Sequence, residues 1–176
     1  MKYFLDTEFI EDGKTIDLIS IGIVCEDGRE LYCCNQDAKL HLASPWVREN
    51  VLPHLPKYGE KLNGKYHCNF DVWHSHSRIK EIVKNFVLGY SPTAKIIGDI
   101  EFWAYYADYD WVAFCQLFGT MMDLPNQFPK LCMDLKQLSI MKGNPKHPEQ
   151  KGTEHNALED ARWNKDLYYF LQGIKS

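Results

Sequence analysis

The chain has 176 residues, the usual size of one domain, and 45% of them are hydrophobic, which allows a sizeable buried core. Its formal net charge of -4 counts against a passive binder that holds nucleic acid by phosphate neutralisation alone, but not against an enzyme whose bound cations face the phosphate. No stretch approaches the roughly 20 apolar residues of a membrane span, and Asp6 interrupts the N-terminal apolar run that a signal peptide needs. We therefore expect one cytoplasmic domain over residues 1–176, with its six cysteines reduced.

The first third of the chain is typical of antiparallel strands. Runs rich in apolar and β-branched residues predict strands over 2–10, 15–25 and 30–35. Asp12-Gly13 and Asp27-Gly28 separate these runs, and Asp-Gly is a preferred sequence for tight hairpin turns. The domain should therefore open with a three-stranded antiparallel meander.

Helices and strands alternate in the rest of the chain. Apolar spacing, capping residues and the positions of glycine and proline predict helices over 44–51, 77–88, 108–118, 134–141 and 157–171, and strands over 94–100 and 129–133. A meander followed by such alternation predicts an α/β fold, in which flanking helices cover a mixed sheet.

Two acidic residues, Asp6 and Glu8, lie two positions apart inside the first predicted strand. Successive side chains of a strand alternate between its faces, so these two carboxylates should point the same way. The apolar neighbours Phe4 and Phe9 indicate a central, buried strand, where two close carboxylates repel each other unless a cation lies between them. The alternative is an edge strand that carries two solvated acids.

A second acidic segment begins the last helix. Asn156, with Glu159 three residues later, resembles a capping box and places the start of the helix at Ala157. His155 and Asp160 then occupy the two positions that normally touch through a hydrophobic staple. This titratable pair fits either a catalytic role or a structural contact between a histidine and an acid near the helix end.

The middle helix supplies one more candidate acid, either Asp108 or Asp110. Asp110 shares a helical face with apolar residues three, four and seven positions further on, but Asp108 aligns with a comparable set and is also an ordinary N-cap residue. The periodicity alone leaves this choice open.

Taken in order, these motifs resemble those of the DEDDh superfamily of ribonuclease H-like 3'-5' exonucleases, and most closely its small bacterial and phage members of the ribonuclease AS type. The resemblance spans nearly the whole chain and favours Asp110 over Asp108. Its matching stretches are FLDTEF (4–9), YDWVAFCQLFG (109–119), MDLKQ (133–137) and HNALEDAR (155–162). The chain departs from the family at Tyr106, where many members carry asparagine four residues before the second-motif aspartate.

The resemblance implies a ribonuclease H-like fold and a 3'-5' exoribonuclease that shortens single-stranded RNA to mononucleotides. Two divalent cations, Mg²⁺ or Mn²⁺, suit a set of hard oxygen ligands. The residues that match the family's metal ligands are Asp6, Glu8, Asp110 and Asp160. His155 would be the general base, Phe9 would contact the terminal base or ribose, and a homodimer is expected by analogy with related exoribonucleases.

Several alternatives remain at the level of the sequence. The same four acids would serve a DNA exonuclease of the proofreading type, and a non-catalytic nucleic-acid-binding module could retain the fold. His67, Cys68, His74 and His76 could bind zinc, although their spacing fits no common zinc module. Trp103, Tyr105 and Tyr106 could stack on bases or simply pack against the core.

Overall fold

A computed structural model describes residues 1–58, 71–89 and 99–173. Within these ranges the strands are β1 Lys2–Glu11, β2 Ile16–Cys25, β3 Glu30–Asn35, β4 Trp73–His74, β5 Glu101–Ala104 and β6 Met133–Asp134. The α-helices of the same ranges are α1 Pro45–Asn50, α2 His76–Leu88, α3 Ala107–Gln116, α4 Leu135–Met141 and α5 Ala157–Leu171. Short 3-10 helices lie at Leu40–Leu42, Leu52–His54 and Met121–Asp123. Within the described ranges, no helix is long and apolar enough to cross a membrane.

The six strands form one mixed sheet in the order β4-β3-β2-β1-β5-β6. The strands β1, β2 and β3 pair antiparallel, as the two Asp-Gly turns predict, whereas β4, β5 and β6 each pair parallel with a neighbour. The strand β1 therefore lies between β2 and β5 rather than at the edge of the sheet, although β5 pairs with it only over Lys2–Phe4 and not beside Asp6 and Glu8. The α/β fold with a mixed sheet and flanking helices is confirmed.

The two faces of the sheet are covered by different helices. On one face, Tyr3 and Leu5 of β1 join a core cluster with residues of α2 and α3, such as Phe86 and Phe114. On the other face, Phe4 packs with residues near the end of α5. Alternation along β1 therefore directs Asp6 and Glu8 toward the α5 face and Thr7 toward the α3 face.

The starts of several helices follow their predicted caps. Ser44 caps α1 with Pro45 at the first helical position, and Asp134 caps α4 by accepting from the Gln137 N–H. Asn156 caps α5, and its side-chain oxygen accepts from the N–H groups of Leu158 and Glu159. The predicted start at Ala157 is confirmed, because a side-chain cap supplies partners that the first helical N–H groups lack.

Most predicted boundaries differ from the structure by one or two residues, and three elements differ in a way that matters for the site. The strand predicted over 94–100 lies partly outside the described residues, and the observed strand β5 begins at Glu101. The strand predicted over 129–133 is only the bridge Met133–Asp134. The helix predicted from Asp108 begins at Ala107, and its N-cap is Tyr106, which adopts a left-handed backbone conformation (φ 56°) and makes no side-chain cap. Asp108 is an exposed residue of the first turn instead.

Candidate active site

A cleft of about 490 Å³ opens beside the second half of β1. The strand β5 pairs with β1 only from Lys2 to Phe4, so beyond Phe4 β5 does not cover that edge of β1. Two backbone groups further along β1 accept or donate to side chains instead: the Leu5 carbonyl accepts from the Asn164 amide, and the Thr7 N–H donates to the Asp110 carboxylate. A sheet edge left uncovered by its neighbour therefore positions residues of α3 and α5 around the cleft.

Three of the predicted carboxylates converge in this cleft. Asp6, Glu8 and Asp160 each offer one oxygen, and these oxygens all lie within 4.8 Å of one another. Asp6 and Glu8 share a face of β1, as predicted, and α5 crosses that face and carries Asp160 in its first turn. Residues separated by about 150 positions in the chain therefore form a single acidic cluster.

The fourth predicted acid, Asp110, lies beside this cluster but outside the 4.8 Å group. Its side chain is buried, lines the cleft, and accepts two hydrogen bonds at Oδ1, from the Thr7 N–H at 2.8 Å and the Thr7 hydroxyl at 2.6 Å. Burial and the contact with Thr7 distinguish Asp110 from the exposed Asp108, which the helical periodicity could not do.

The electrostatics of the cleft disfavour ionisation of all four carboxylates in the absence of a counter-ion. Burial raises the pKa of Asp6 well above its usual range, and the charges of Asp110, Asp160 and Glu8 raise it further. Burial likewise raises the pKa of Glu8 to about 8, and that of Asp110 to about 6 in spite of the two bonds from Thr7. The cleft therefore concentrates negative charge that the side chains around it do not neutralise.

His155 lies at the same cleft, directly before the cap of α5. Its backbone is left-handed (φ 63°), and its ring contacts the exposed Trp46 edge to face at a centroid distance of 4.9 Å. Burial raises the pKa of Asp160, while a hydrogen bond from Gln150 and the neighbouring His155 lower it. The predicted proximity of His155 and Asp160 is present in the structure.

Three residues that the sequence analysis did not single out contribute to the cleft. Thr7, between the two acids of β1, holds Asp110, and Gln150 donates to Asp160 Oδ1 from the loop before α5. Trp46 forms part of the cleft wall. The position of Thr7 on the opposite face of a D-x-E strand was a usable signal, but Gln150 and Trp46 lie in irregular or short segments where no periodicity marks them.

The aromatic candidates separate into distinct environments. Phe9 lines the cleft and stacks on Tyr109 at 5.8 Å with an interplanar angle of 11°. Trp103 is buried in the core, and Tyr105 packs edge to face against Trp163. Tyr106 lines the cleft and is 61% exposed. Packing therefore explains Trp103 and Tyr105 more directly than it explains Tyr106.

The alternative zinc cluster cannot be assembled from the described residues. His67 and Cys68 lie outside them, and in the described part of the chain only Asp6, Glu8 and Asp160 lie close enough together to share a metal ion.

The acidic cluster fits a hard divalent cation. Its donors are carboxylate oxygens, the ligands that Mg²⁺ and Mn²⁺ prefer over sulfur or imidazole. The raised pKa values of Glu8 and Asp6 show that nearby protein groups leave this negative charge uncompensated, and a bound cation would compensate it.

Comparison with known proteins places the chain among exoribonucleases. Residues 60–171 match the family described as the 3'-5' exoribonuclease Rv2179c-like domain. The chain is 42% identical over 164 residues to 3'-5' exoribonuclease Rv2179c of Mycobacterium tuberculosis strain H37Rv, which covers 92% of this chain and 88% of that protein. The same figures hold for 3'-5' exoribonuclease MT2234.1 of strain CDC 1551.

A solved structure shares the fold. Pop2p of S. pombe, in its Mg²⁺- and Mn²⁺-bound form, superposes with a TM-score of 0.54 at 15% sequence identity, covering 98% of this chain and 82% of that one. This likeness agrees with the ribonuclease H-like arrangement of the mixed sheet. The family match and the 42% identity, in contrast, show that the chain belongs to the Rv2179c-like 3'-5' exoribonuclease family, which confirms the prediction of a 3'-5' exonuclease.

Proposed function

We propose that this protein removes mononucleotides one at a time from the 3' end of single-stranded RNA, with two divalent cations, Mg²⁺ or Mn²⁺, as cofactors. Family membership supports RNA as the substrate and the 3' end as the point of attack. The resemblance of the four acids and the histidine to the DEDDh pattern supports the two-metal chemistry.

The convergence of Asp6, Glu8 and Asp160 within 4.8 Å is the observation that carries this proposal. A structural role does not explain three carboxylates brought together from β1 and α5, because their mutual repulsion destabilises the fold in the absence of a counter-ion. A metal-dependent nuclease uses such a cluster to hold cations, and these attract the anionic phosphodiester that bare carboxylates would repel.

The cations would be held by Asp6, Glu8, Asp110 and Asp160. Two hydrogen bonds from Thr7 restrain the side chain of the buried Asp110. Bound divalent cations supply charge stabilisation for the attacking oxygen, the phosphoryl group and the leaving oxygen of a phosphodiester. Gln150 restrains Asp160 through a hydrogen bond and so limits the positions that this carboxylate can take.

His155 would accept the proton of the attacking water as the general base. The histidine lines the cleft with Asp6 and Asp160, and its contact with Trp46 restrains the ring. His155 has a left-handed backbone and precedes α5, so its side chain reaches the cleft from a different segment than Asp160 does.

Phe9 would contact the terminal base or ribose. Phe9 follows Glu8 after a register shift in the pairing of β1 with β2, and its side chain lines the cleft. The ring of Tyr109 stacks on it. The aromatic ring offers a sequence-tolerant surface for stacking.

A homodimer is also part of this proposal. Light scattering at several protein concentrations measures the molar mass in solution and so tests it.

The direct test is digestion of matched RNA and DNA oligonucleotides, labelled at either end, with Mg²⁺, Mn²⁺ or EDTA. We expect labelled mononucleotide at once from 3'-labelled RNA, a ladder of shortening products from 5'-labelled RNA, and no reaction in EDTA. Asp6→Asn is the matched control, because it keeps the shape of the side chain and removes its charge.

Faster digestion of DNA than of RNA would overturn the assignment of substrate, and resistance caused only by a blocked 5' end would overturn the polarity. Full activity of Asp6→Asn would reject the metal site.

A further inference from the structure

Packing explains the cleft residue Tyr106 only in part, through one edge-to-face contact with Tyr105 at a centroid distance of 4.8 Å. Tyr106 is 61% exposed, although it lies at the base of α3 and its neighbours on both sides, Tyr105 and Ala107, are half-buried and buried. Its backbone is left-handed (φ 56°), a conformation that costs free energy for a bulky residue and that persists where the surroundings impose it.

The side chain of Asp134 restrains the backbone directly after Tyr106. Asp134 Oδ2 accepts from the Ala107 N–H at 2.7 Å, and Oδ1 of the same side chain accepts from the Gln137 N–H at 2.6 Å. Asp134 therefore fixes the first turns of α3 and α4 relative to each other. The arrangement holds Tyr106, just before α3, beside Lys136 in the first turn of α4.

Lys136 supplies a positive charge next to the exposed ring. Its ammonium lies 5.9 Å from the centroid of Tyr106 and 3.5 Å from the side-chain oxygen of Asn144. Among the described residues, no carboxylate forms an ion pair with Lys136. Tyr106 lines the cleft, and Lys136 lies beside its ring without being part of the cleft lining.

We propose that Tyr106 and Lys136 form a binding subsite for the nucleotide on the 5' side of the scissile phosphate, with the base stacked on Tyr106 and a backbone phosphate bound by Lys136. The inference rests on the proposed function. In a 3'-5' exonuclease only one nucleotide lies on the 3' side of the scissile bond, so any RNA that leaves the mouth of the cleft belongs to the 5' side.

The chemistry of the pair matches a nucleotide of any sequence. An aromatic face accepts every base, and an ammonium group attracts phosphate without reading sequence. The subsite also offers what the acidic cluster cannot, which is a favourable charge for the RNA backbone in a protein whose net charge is -4.

The test compares two substrates. One is an RNA oligonucleotide, and the other is the p-nitrophenyl ester of uridine 5'-monophosphate, in which nitrophenol replaces the 5'-side nucleotide as leaving group. Tyr106→Gly removes the ring and tolerates the left-handed backbone, while Lys136→Gln removes the charge. We expect Tyr106→Gly to lower kcat/KM for RNA by roughly 5- to 150-fold, the usual effect of losing one base–aromatic stack, with the ester unchanged.

Lys136→Gln should flatten the dependence of log KM for RNA on log salt concentration by about 0.7, the contribution of one phosphate contact on a single strand. The matched control Lys142→Gln makes the same charge change at the other end of α4 and should leave this slope unaltered. Tyr106→Trp keeps an aromatic face and should restore most of the activity on RNA.

Equal losses on RNA and on the ester would overturn the subsite, because they would place Tyr106 at the reacting nucleotide or in the fold. Unchanged RNA kinetics in both variants would overturn it as well. If the wild-type protein cuts neither substrate, the proposed function has failed and this inference fails with it. If the wild-type protein cuts both, the proposed function stands and the variants test the subsite alone.

Discussion

Individual side chains of the cleft depend on polar partners that come from distant parts of the chain. Asp110 is held by Thr7, and Asp160 by Gln150. Each partner donates to a carboxylate and so favours its charged, cation-binding form. We therefore expect substitutions of these neutral residues to weaken the site without removing any acid.

Replacement of Thr7 by valine tests this expectation most cleanly. Thr7→Val keeps the volume of the side chain and the backbone N–H but removes the hydroxyl that donates to Asp110 at 2.6 Å. We expect the affinity for Mn²⁺, measured by calorimetry, to fall by roughly 10- to 150-fold, since a hydrogen bond to a charged group contributes about 1.5–3 kcal/mol.

Thr7→Ser is the matched control, because it retains the hydroxyl and should bind Mn²⁺ nearly as the wild type does. Equal affinities of the valine and wild-type proteins would show that the hydroxyl does not help to hold Asp110 for a cation.

His155 should behave differently from the acids. His155→Ala is expected to lower the turnover number by roughly 10²–10⁴-fold, the usual contribution of a positioned general base, while Mn²⁺ affinity and Tm stay near the wild-type values. A folded variant with near-normal turnover would contradict the general-base role. A folded variant that no longer binds Mn²⁺ would instead make His155 part of the metal site.

At the scale of elements, the position of α5 on the sheet decides whether the acids meet. Several contacts seat this helix. Among them, Arg162 pairs with Glu30 of β3, Asn164 donates to the Leu5 carbonyl at 2.9 Å, and the backbone at Ala157 packs against Gly22 of β2. Gly22 is also the β2 residue paired with Asp6. Close approach at Gly22 therefore brings the first turn of α5, which carries Asp160, over Asp6.

Gly22→Ala should displace this turn. A Cβ atom at Gly22 would lie 2.5 Å from the Leu158 Cα and closer still to the Ala157 carbonyl oxygen, and backbone atoms cannot rotate away. We expect a loss of about 1–3 kcal/mol of stability from overpacking. We also expect turnover to fall by roughly 10²-fold, as a misplacement of about 1 Å can cause.

Leu167→Ala controls for destabilisation alone, because it creates a cavity at the far end of the same helix, where Leu167 is fully buried. This substitution should lower the free energy of unfolding, measured with denaturant, by about 2–5 kcal/mol. It should leave the turnover number of the folded protein nearly unchanged. Equal turnover in the two variants would reject the role of Gly22 in positioning Asp160.

At the scale of the whole molecule, the acidic cluster opposes folding until a cation binds. A raised pKa means that the folded state holds protons more tightly than the unfolded chain does. Stability associated with Glu8 is therefore present at low pH and is lost as the pH rises from about 4.5, the usual value for glutamate, to about 8.

We expect the chelated protein to show a Tm that falls between pH 5 and pH 8 and recovers on addition of Mn²⁺. A ligand at about 100 times its Kd adds about 2.7 kcal/mol to the free energy of unfolding. Glu8→Gln should flatten the decline in the chelated protein, because the amide does not titrate. A Tm that rises with pH in EDTA, or that ignores Mn²⁺ at pH 8, would contradict this account.

The sequence by itself determined the local features of the site. The two-residue period of a strand places Asp6 and Glu8 on one face, the Asp-Gly turns give the antiparallel meander, and Asn156 starts α5 at Ala157. Each of these depends on neighbours within a few positions, so local patterns suffice to predict them. The resemblance to a known superfamily then pointed to the remaining acid, Asp110.

Only the tertiary structure decided how these features combine. The burial of Asp110, its bonds to Thr7 from 103 positions away, and the exposure of Tyr106 beside Lys136 depend on how α3 and α4 pack at the end of the sheet. Such contacts join residues whose spacing in the chain carries no period, because their distance is set by the packing of whole elements and by a sheet edge that β5 leaves uncovered. The physical reason is that sequence periodicity indicates which face of a helix or strand a residue occupies. A functional site also depends on which other elements pack against that face, and only the tertiary structure determines this.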